Sequence, residues 1–332
     1  MKFIALPEEK TRRLSFYLAM EEYVAYHIDE QDCFFMWQVE PSVIFGRNQL
    51  IENEVNIPFC RERGIKTYRR KSGGGCVYAD MSNIMFSYIT KDEAVGFTFN
   101  RYINMVVLVL RKMGVDAKAS GRNDVMISDR KVSGNAFYHV SKRGQMGSGR
   151  SIVHGTMLYD TNMENMVGAI TPSDEKLVSK GVESVRQRIA LLKDYTTMGI
   201  EEFKQFVRDN LCEGEIKLTE DDVRGIEEIE KEYLTDEFIY GNNPKYTITR
   251  KGRINNVGDF ELRMELKNGE IRSVVMLGDY LIVGDVDAMI LKPLKGTMLN
   301  SEALAKALPD NLDEAILNLR KQEFVDLLLG NI

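Results

Sequence analysis

A glycine-rich segment with a basic flank is the strongest chemical signal in the sequence. Between Arg69 and Asn83 the chain reads Arg-Arg-Lys-Ser-Gly-Gly-Gly-Cys-Val-Tyr-Ala-Asp-Met-Ser-Asn. Consecutive glycines let a backbone approach a ligand closely, and their N–H groups can converge on an anion. Two arginines and a lysine add positive charge in a chain whose net charge is −6. The segment predicts a cradle for a phosphate or a carboxylate, although the GxGxxG and Walker patterns are both absent.

A second candidate places a carboxylate and a lysine on neighbouring strands. Asn123 and Asp124 open one predicted strand, and Lys131 opens the next, in the sequence Lys-Val-Ser-Gly-Asn-Ala. A hairpin would bring Asp124 and Lys131 close together. Two interpretations stay open at this point. The pair is either an exposed ion pair of little energetic value, or a lysine charge directed at an anion beside polar groups that fix a ligand.

Two further motifs carry groups that suit a polar ligand. His154, followed by Gly-Thr, begins a predicted strand and is either a functional residue or a satisfied histidine at a sheet edge. The segment Lys180–Arg188 reads as a loop entering a short helix, with Ser184 near the helix start and Arg186 after it. Helix N-termini and arginines both suit phosphate. A solvated charged helix is the alternative for this segment.

The composition argues against several classes of protein. The 332 residues, 44% hydrophobic and 28% charged, suit a large domain with a smaller one, or two comparable domains. No apolar run reaches the length of a membrane-spanning helix, and the N-terminus becomes charged too early for a signal peptide. Four scattered cysteines without a CxxC argue against a disulfide framework and a zinc site. We therefore expect a cytoplasmic protein that binds neither a membrane nor nucleic acid.

The apolar patterns predict a mixed order of strands and helices. We expect a helix over 12–28 with one apolar face, strands over 33–39, 43–45 and 84–90, and a helix over 97–113. Further strands are expected over 122–128, 131–138 and 154–159, a mobile loop over 141–151, and helices over 199–210 and 219–234, the last capped by Thr219. Their short and irregular spacing favours an α+β fold over a doubly wound sheet.

The chain changes character at Tyr240-Gly-Asn-Asn-Pro244. This break places the predicted domain boundary between a domain over 1–243 and a second domain over 244–332. Beyond it, Phe260–Leu266 alternates apolar and charged residues, Asn268-Gly269 supplies a turn, and Ile271–Leu277 returns. With helices expected over 301–307 and 312–329, the second domain is a small α+β module.

Taken together and in this order, the motifs resemble the lipoate–protein ligase family. The resemblance also includes Leu18–Glu22, Trp37–Gln49 and Tyr240–Tyr246, so that it extends over nearly the whole chain. It implies a large α+β catalytic domain of the biotin and lipoate ligase type, which is related to class II aminoacyl-tRNA synthetases. It also implies a small α+β C-terminal accessory domain.

The resemblance implies a reaction in two steps. Lipoate and ATP with Mg²⁺ give lipoyl-AMP and pyrophosphate, and the lipoyl group then moves to a lysine of a lipoyl-accepting protein. Lipoyl domains of 2-oxoacid dehydrogenase E2 subunits and the glycine cleavage H protein are the implied acceptors. In this scheme Lys131 bridges the lipoate carboxylate and the α-phosphate, and Asp124 resembles the family's magnesium contact.

The resemblance also implies a set of residues that bind lipoate and the adenylate. They are Arg70, Ser72, Gly73, Gly74, Gly75, Cys76, Val77, Tyr78, Asn83, Asn123, Asp124, Ser133, Gly134, His154, Gly155, Thr156, Ser184 and Arg186. This chain departs from the family's pattern at three positions. Ala79 stands where the family usually has histidine, Ser82 where glycine is common, and Val153 where the first of two histidines is usual.

Two other functions compete with an ATP-dependent ligase. An ATP-independent octanoyl or lipoyl transferase would need a cysteine nucleophile, and Cys76 is the only cysteine that lies in a motif. A non-catalytic paralogue that binds lipoyl-adenylate is the third hypothesis, and Ala79 is its motivation.

Overall fold

The computed structural model describes residues 1–49, 51–91, 95–120, 123–141, 149–170, 187–240, 248–267 and 269–331. The chain divides into two compact units. The first unit comprises Met1–Phe45, Ile51–Arg70 and Cys76–Ile239, and the second comprises Gly46–Leu50, Lys71–Gly75 and Tyr240–Ile332. Two short segments from the first half of the sequence therefore belong to the second unit.

The first unit contains a large mixed sheet and a smaller one. Its strands are β1 (Lys2–Ala5), β2 (Asp32–Trp37), β3 (Ser42–Phe45), β4 (Lys66–Arg69), β5 (Val77–Ala79), β6 (Ile84–Thr90), β7 (Ala117–Ala119), β8 (Asp124–Ile127), β9 (Arg130–Ser141), β10 (Gly149–Met157) and β11 (Gly214–Lys217). Eight of them form one sheet in the order β11-β1-β2-β6-β10-β9-β8-β7, and β4-β3-β5 form a second sheet. In the large sheet β1 runs parallel to β2 and β11, and the other neighbours are antiparallel.

Helices flank these sheets. They are α1 (Leu14–His27), α2 (Ile51–Glu54), α3 (Ile57–Glu62), α4 (Val95–Lys112), α5 (Met163–Ala169), α6 (Ile200–Leu211), α7 (Glu220–Tyr233) and α8 (Asp236–Tyr240), with a 3₁₀ turn at Leu192–Asp194. This arrangement confirms the predicted α+β class. The expected cap of α7 is also present, because the Thr219 hydroxyl accepts from Asp222 N and the Asp222 carboxylate accepts from Thr219 N.

Helix α1 is buried around nearly its whole circumference, whereas the sequence predicted a single apolar face. Its residues from Leu14 to Ala25 are all buried, including Glu21 and Glu22. The reason is that α1 packs against the large sheet and against α7 at once. Two carboxylates in such a helix must find partners inside the protein.

Strand β10 is longer than predicted, because its first residues are polar and give no strand signal. It begins at Gly149 and lies between β6 and β9, so it is a central strand. Strand β9 runs to Ser141, which shortens the expected loop, and residues 142–148 lie outside the described part of the chain. The short strand β5 was also missed, because it follows the glycine-rich segment directly.

The second unit contains a three-stranded antiparallel sheet and several short helices. Its elements are β12 (Ile248–Ile254), β13 (Gly258–Lys267), β14 (Glu270–Asp279), a π-helical turn at Asp287–Leu291, α9 (Lys292–Leu294), α10 (Ser301–Ala307), a 3₁₀ turn at Leu312–Glu314 and α11 (Lys321–Leu329). The β13–β14 hairpin was predicted, and Gly269 has the left-handed φ of 80° that its turn requires.

The expected continuous helix over 312–329 is wrong. Its middle part pairs with another segment instead, since Leu317 N donates to Leu281 O and Ile316 forms a bridge with Ile282. Asn318 then takes a left-handed φ of 63°, which an α-helix cannot contain. Only the last nine residues of the predicted span, Lys321–Leu329, form an α-helix. In the described part of the chain no helix is long and apolar enough to cross a membrane.

Candidate active site

The β8–β9 hairpin brings the predicted lysine and carboxylate together. Its two-residue turn places Ser128 and Asp129 at φ values of 48° and 60°, as a type I′ turn requires. Lys131 Nζ lies 2.8 Å from Asp124 Oδ1, and the two side chains are 40% and 27% exposed. A ligand can therefore reach this pair, and the predicted contact is confirmed.

A β-bulge and a glycine set the position of the lysine. Ser133 pairs with Val125 and Lys131 pairs with Met126, so that Val132 is an extra residue on β9. Gly134 lies directly under the ammonium group, and a Cβ at this position would approach Lys131 Cε and Nζ to 2.6 Å. The absence of a side chain at Gly134 therefore makes the room that Lys131 occupies.

Two asparagines join the start of β8 to β9. Asn123 Nδ2 donates to Asn135 O, and Asn135 Nδ2 donates to Asn123 O, each at 2.9 Å. Ser133 Oγ donates to Asn135 Oδ1 at 3.2 Å. Ser133 and Asn123 were predicted as site residues, and both lie beside the hairpin pair. Asn135 was missed, although it belongs to the same Lys-Val-Ser-Gly-Asn motif.

His154 lies in the interior, so the interpretation as an edge histidine is wrong. It is 6% exposed on the central strand β10, and its Nδ1 lies 2.9 Å from Glu21 Oε2. Gly155 and Thr156 follow on the same strand, and Thr156 pairs with Gly134 of β9. The predicted residues of β10 therefore lie next to the strand that carries Lys131.

A buried polar cluster surrounds the Glu21 carboxylate. Ser87 Oγ donates to Glu21 Oε1 at 2.6 Å, and Trp37 Nε1 donates to Ser87 Oγ at 2.9 Å. Tyr138 OH donates to Glu21 Oε2 at 3.4 Å. Burial, together with nearby Tyr233 and Glu21, raises the pKa of Tyr138, so its hydroxyl remains a donor. The sequence analysis did not identify Glu21. The feature that could have identified it is a charged residue in a helix that is buried on all sides.

Asn83 belongs to a second polar cluster. Asp80 Oδ1 accepts from Ser82 N at 2.9 Å and from Asn83 Nδ2 at 3.4 Å. Asn83 Nδ2 also donates to Thr161 Oγ1 at 3.3 Å. Asn83 Oδ1 is buried, and among the described residues it has no hydrogen-bond partner. The orientation fixed by Asp80 thus leaves an acceptor that suits an N–H donor or a cation.

A cavity lies between this cluster and the start of β9. Its volume is about 490 Å³, and its lining includes Arg130, Asp160, Thr161, Ile189 and Lys193. Arg130 directly precedes Lys131, and Thr161 is the partner of Asn83. The chain at Ile189 and Ala190 runs beside β9, where Ala190 N donates to Lys131 O at 2.8 Å.

Four more predicted residues lie on or next to the strands of the small sheet of the first unit. Arg70 is 4% exposed, and its guanidinium donates to Ile44 O at 3.2 Å. Val77 and Tyr78 lie on β5, where burial raises the pKa of Tyr78 to about 12. Cys76 packs at the same sheet, and burial, followed by the nearby charge of Glu54, raises the pKa of its thiol. Ala79 is completely buried in the core and carries no polar group.

The remaining glycine-rich residues belong to the second unit. There Gly74 N donates to Tyr280 O at 3.0 Å, and Arg47 N donates to Ser72 O at 2.9 Å. A Cβ on Gly73 would lie 2.3 Å from Tyr280 O, and a Cβ on Gly75 would lie 2.8 Å from Asp279 Oδ2. The glycines therefore allow close approach to the Tyr280 backbone and the Asp279 side chain within this unit, and their role as an anion cradle stays a prediction. Ser184 and Arg186 lie outside the described residues.

Two family models match the sequence. The model described as "Lipoyl protein ligase A/B catalytic domain" matches residues 14–212. The model described as "Bacterial lipoate protein ligase C-terminus" matches residues 243–328. A curated relative, lipoate-protein ligase LplJ of Bacillus subtilis, is 35% identical over 324 residues, which cover 94% of this chain and 95% of that protein.

Solved structures support the same relationship. LipL1 of P. falciparum in complex with lipoate superposes with a TM-score of 0.74 and 18% identity, covering 99% of this chain and 98% of that chain, which establishes a shared fold. A lipoate-protein ligase A bound with ATP superposes with a TM-score of 0.60 and 25% identity, covering 73% of this chain and 99% of that chain. The chain belongs to the lipoate–protein ligase family.

Proposed function

We propose that this enzyme is an ATP-dependent lipoate–protein ligase that forms lipoyl-AMP and then transfers the lipoyl group to a protein lysine. The observation that carries the proposal is the placement of Lys131. Its ammonium group is held 2.8 Å from Asp124 over the bare backbone of Gly134, and it remains 40% exposed. A lysine held by one partner, yet open to a ligand, can act on two anions that must approach each other.

The first step joins a carboxylate to a phosphate. The lipoate carboxylate attacks the α-phosphorus of ATP, a P–O bond forms, and pyrophosphate leaves with the electrons of the broken bond. Both reactants are anions, so their approach is opposed by repulsion until a fixed cation offsets it. Lys131 supplies that cation between the carboxylate and the α-phosphate. ATP binding to a solved ligase of the family supports this nucleotide as the substrate.

Asp124 and Asn83 suit the magnesium that accompanies ATP. Mg²⁺ is usually held by one or two protein oxygens together with substrate phosphates, and it neutralises phosphate charge. Asp124 presents a carboxylate that is 27% exposed, and Asn83 presents a buried acceptor without a partner among the described residues. Across the described residues there is no group of three or more His, Cys, Asp or Glu that could form an all-protein cage. Asp124 is therefore the residue that we assign to the magnesium.

The second step transfers the acyl group. The amine of an acceptor lysine attacks the lipoyl carbonyl, an amide bond forms, and AMP leaves. Lys131 would polarise the carbonyl and stabilise the charge that develops on it. We expect the acceptors to be lipoyl domains of E2 subunits or the H protein, and we place the reaction in the cytoplasm, where the four unpaired cysteines would stay reduced.

The other predicted residues receive roles that fit their positions. Gly155 and Thr156 would contact the acyl chain or the adenylate from β10, next to the strand of Lys131. Arg70 and residues 76–78 would line the acyl-adenylate site. The cavity beside Arg130 and Thr161 offers polar and charged groups to the nucleotide.

Lipoate-dependent exchange of pyrophosphate into ATP tests the proposal. The wild-type enzyme should catalyse exchange only with lipoate present, and Lys131→Ala should abolish it. Lys91→Ala is the matched control, because Lys91 is 39% exposed and forms an ion pair of 2.7 Å with Asp29. Exchange that survives in Lys131→Ala would remove the assigned role of this lysine.

The two competing functions have less support. A cysteine transferase would need a thiolate at Cys76, and burial favours the neutral thiol there. A non-catalytic paralogue would bind lipoyl-AMP without transferring it to any lipoyl domain. Turnover with a panel of acceptor domains would exclude that paralogue.

A further inference from the structure

We propose that Asn135 is a positioning residue for the ligase reaction, and that it acts through Lys131. This inference depends on the role of Lys131 in the proposed function. The place of Lys131 is set by the pairing of β8 with β9, since its partner Asp124 lies on β8 while Gly134 lies beneath it on β9. Anything that fixes this pairing fixes the geometry of the cation.

The bulge makes the pairing sensitive to one residue. Ser133 pairs with Val125, whereas Lys131 pairs with Met126, so the extra residue Val132 must stay at this place. Without the bulge, regular alternation would place Lys131 and Gly134, which are three residues apart, on opposite faces of the strand. The hairpin turn fixes one end of the pairing at Ile127 and Arg130, and the other end needs a second fixed point.

Asn135 provides that second point. Its backbone N and its Nδ2 both donate to Asn123 O, at 3.1 and 2.9 Å, and Asn123 Nδ2 donates back to Asn135 O at 2.9 Å. These three bonds, which we call the asparagine lock, join the residue that precedes Asp124 to the residue that follows Gly134. The lock therefore holds the pair Asp124–Gly134, above which the lysine lies.

The surroundings of Asn135 show that its amide serves the fold rather than a ligand. Asn135 is 3% exposed, and its Oδ1 accepts from Ser133 Oγ. On the other side, Oδ1 fills the place where a side chain of Gly155 would begin, 1.8 Å from the position of a Cβ. Because the amide is enclosed by β8, β9 and β10, we expect its effect on the reaction to pass through Lys131.

The rate constants of lipoate-dependent ATP–pyrophosphate exchange test this role. Asn135→Asp keeps the shape but removes the donor, and Asn135→Ala removes the amide. Both should lower kcat about 10- to 100-fold, because small misplacement of a catalytic group has effects of this size. The KM values for ATP and lipoate should change by no more than about twofold, which is the variation typical of substitutions at sites that do not interact. Asn210→Ala is the matched control, because Asn210 Nδ2 also donates to a backbone carbonyl, at 2.9 Å in α6.

A double-mutant cycle separates positioning from general stability. In a Lys131→Arg background, Asn135→Asp should produce much less than its normal loss of kcat, since the lysine through which it acts is already gone. A full and additive loss, or unchanged kcat in folded Asn135 variants, would overturn the inference. If Asn135→Ala does not fold, Asn123→Ala breaks only one bond of the lock and should show a smaller loss of kcat. If Lys131→Ala retains exchange, the assigned role of Lys131 fails as well. If the wild-type enzyme shows no lipoate-dependent exchange, the proposed function itself fails, so the two failures are distinguished.

Discussion

His154 Nδ1 lies 2.9 Å from Glu21 Oε2, and both side chains are almost completely removed from solvent. This contact joins β10 to α1, two elements that are far apart in the sequence. The Glu21 carboxylate also accepts from Ser87 and Tyr138, so three elements of the sheet supply donors to one helix residue. A carboxyl group enclosed in this way is tolerated only because each of its oxygens has hydrogen-bond partners.

Replacement of Glu21 should therefore destabilise the first unit. In Glu21→Leu the Ser87 hydroxyl loses its acceptor and the contact between His154 and this carboxyl group is lost, and an unsatisfied buried donor is costly. We expect the free energy of unfolding to fall by about 2–4 kcal/mol. Urea denaturation followed by circular dichroism gives this value. Glu228→Ala, which removes an exposed ion pair with Lys231, should change it little; a Glu21→Leu protein as stable as that control would contradict the account.

Gly134→Ala should damage catalysis more than stability. Its Cβ would lie 2.6 Å from Cε and Nζ of Lys131, and the flexible end of the lysine can move away. The fold then survives, but the ammonium leaves its place, and we expect kcat for exchange to fall about 100-fold. Steady-state exchange kinetics with a melting curve measure both effects. Gly199→Ala serves as control, because nothing lies within 4 Å of a Cβ there; equal kcat in both variants would show that the room above Gly134 is unimportant.

Gly155→Ala should be rescued in part by a second substitution. Its Cβ would lie 1.8 Å from Asn135 Oδ1, so the amide of Asn135 or the strand must shift. Overpacking of this kind costs about 1–3 kcal/mol of stability. In Gly155→Ala/Asn135→Ala the obstructing amide is absent, and the stability loss should be smaller than the sum of the single losses. Urea denaturation of the wild type, the two single variants and the double variant measures these stability losses. Additive losses would refute the proposed clash.

Local patterns were sufficient for much of the fold and for the hairpin pair. The two predicted strands over 122–128 and 131–138, taken as a hairpin, were enough to place Asp124 near Lys131. The capped helix after Thr219 and the β13–β14 hairpin were predictable for the same reason, since their signals lie within a few residues. The family resemblance then assigned chemistry to these elements.

Contacts between distant segments were not predictable. The burial of His154 depends on Glu21, 133 residues away, and the packing of Gly73 depends on Tyr280 in the second unit. The helix predicted over 312–329 is interrupted because Ile316 and Leu317 pair with residues near Ile282. In each case pairing between distant segments overrides the local preference. A single sequence does not record such pairing, so these contacts could not be predicted from it.

Cys76 should be dispensable as a nucleophile. Burial raises the pKa of its thiol, so at neutral pH the thiolate fraction is below that of an ordinary cysteine. We expect Cys76→Ser to retain most of its lipoate ligation activity. Iodoacetamide labelling of Cys76, followed by mass spectrometry of the peptide, should keep rising with pH beyond about 9, where an ordinary thiol levels off. A labelling midpoint near neutral pH, or an acyl thioester on Cys76 together with loss of activity in Cys76→Ser, would instead favour the ATP-independent transferase.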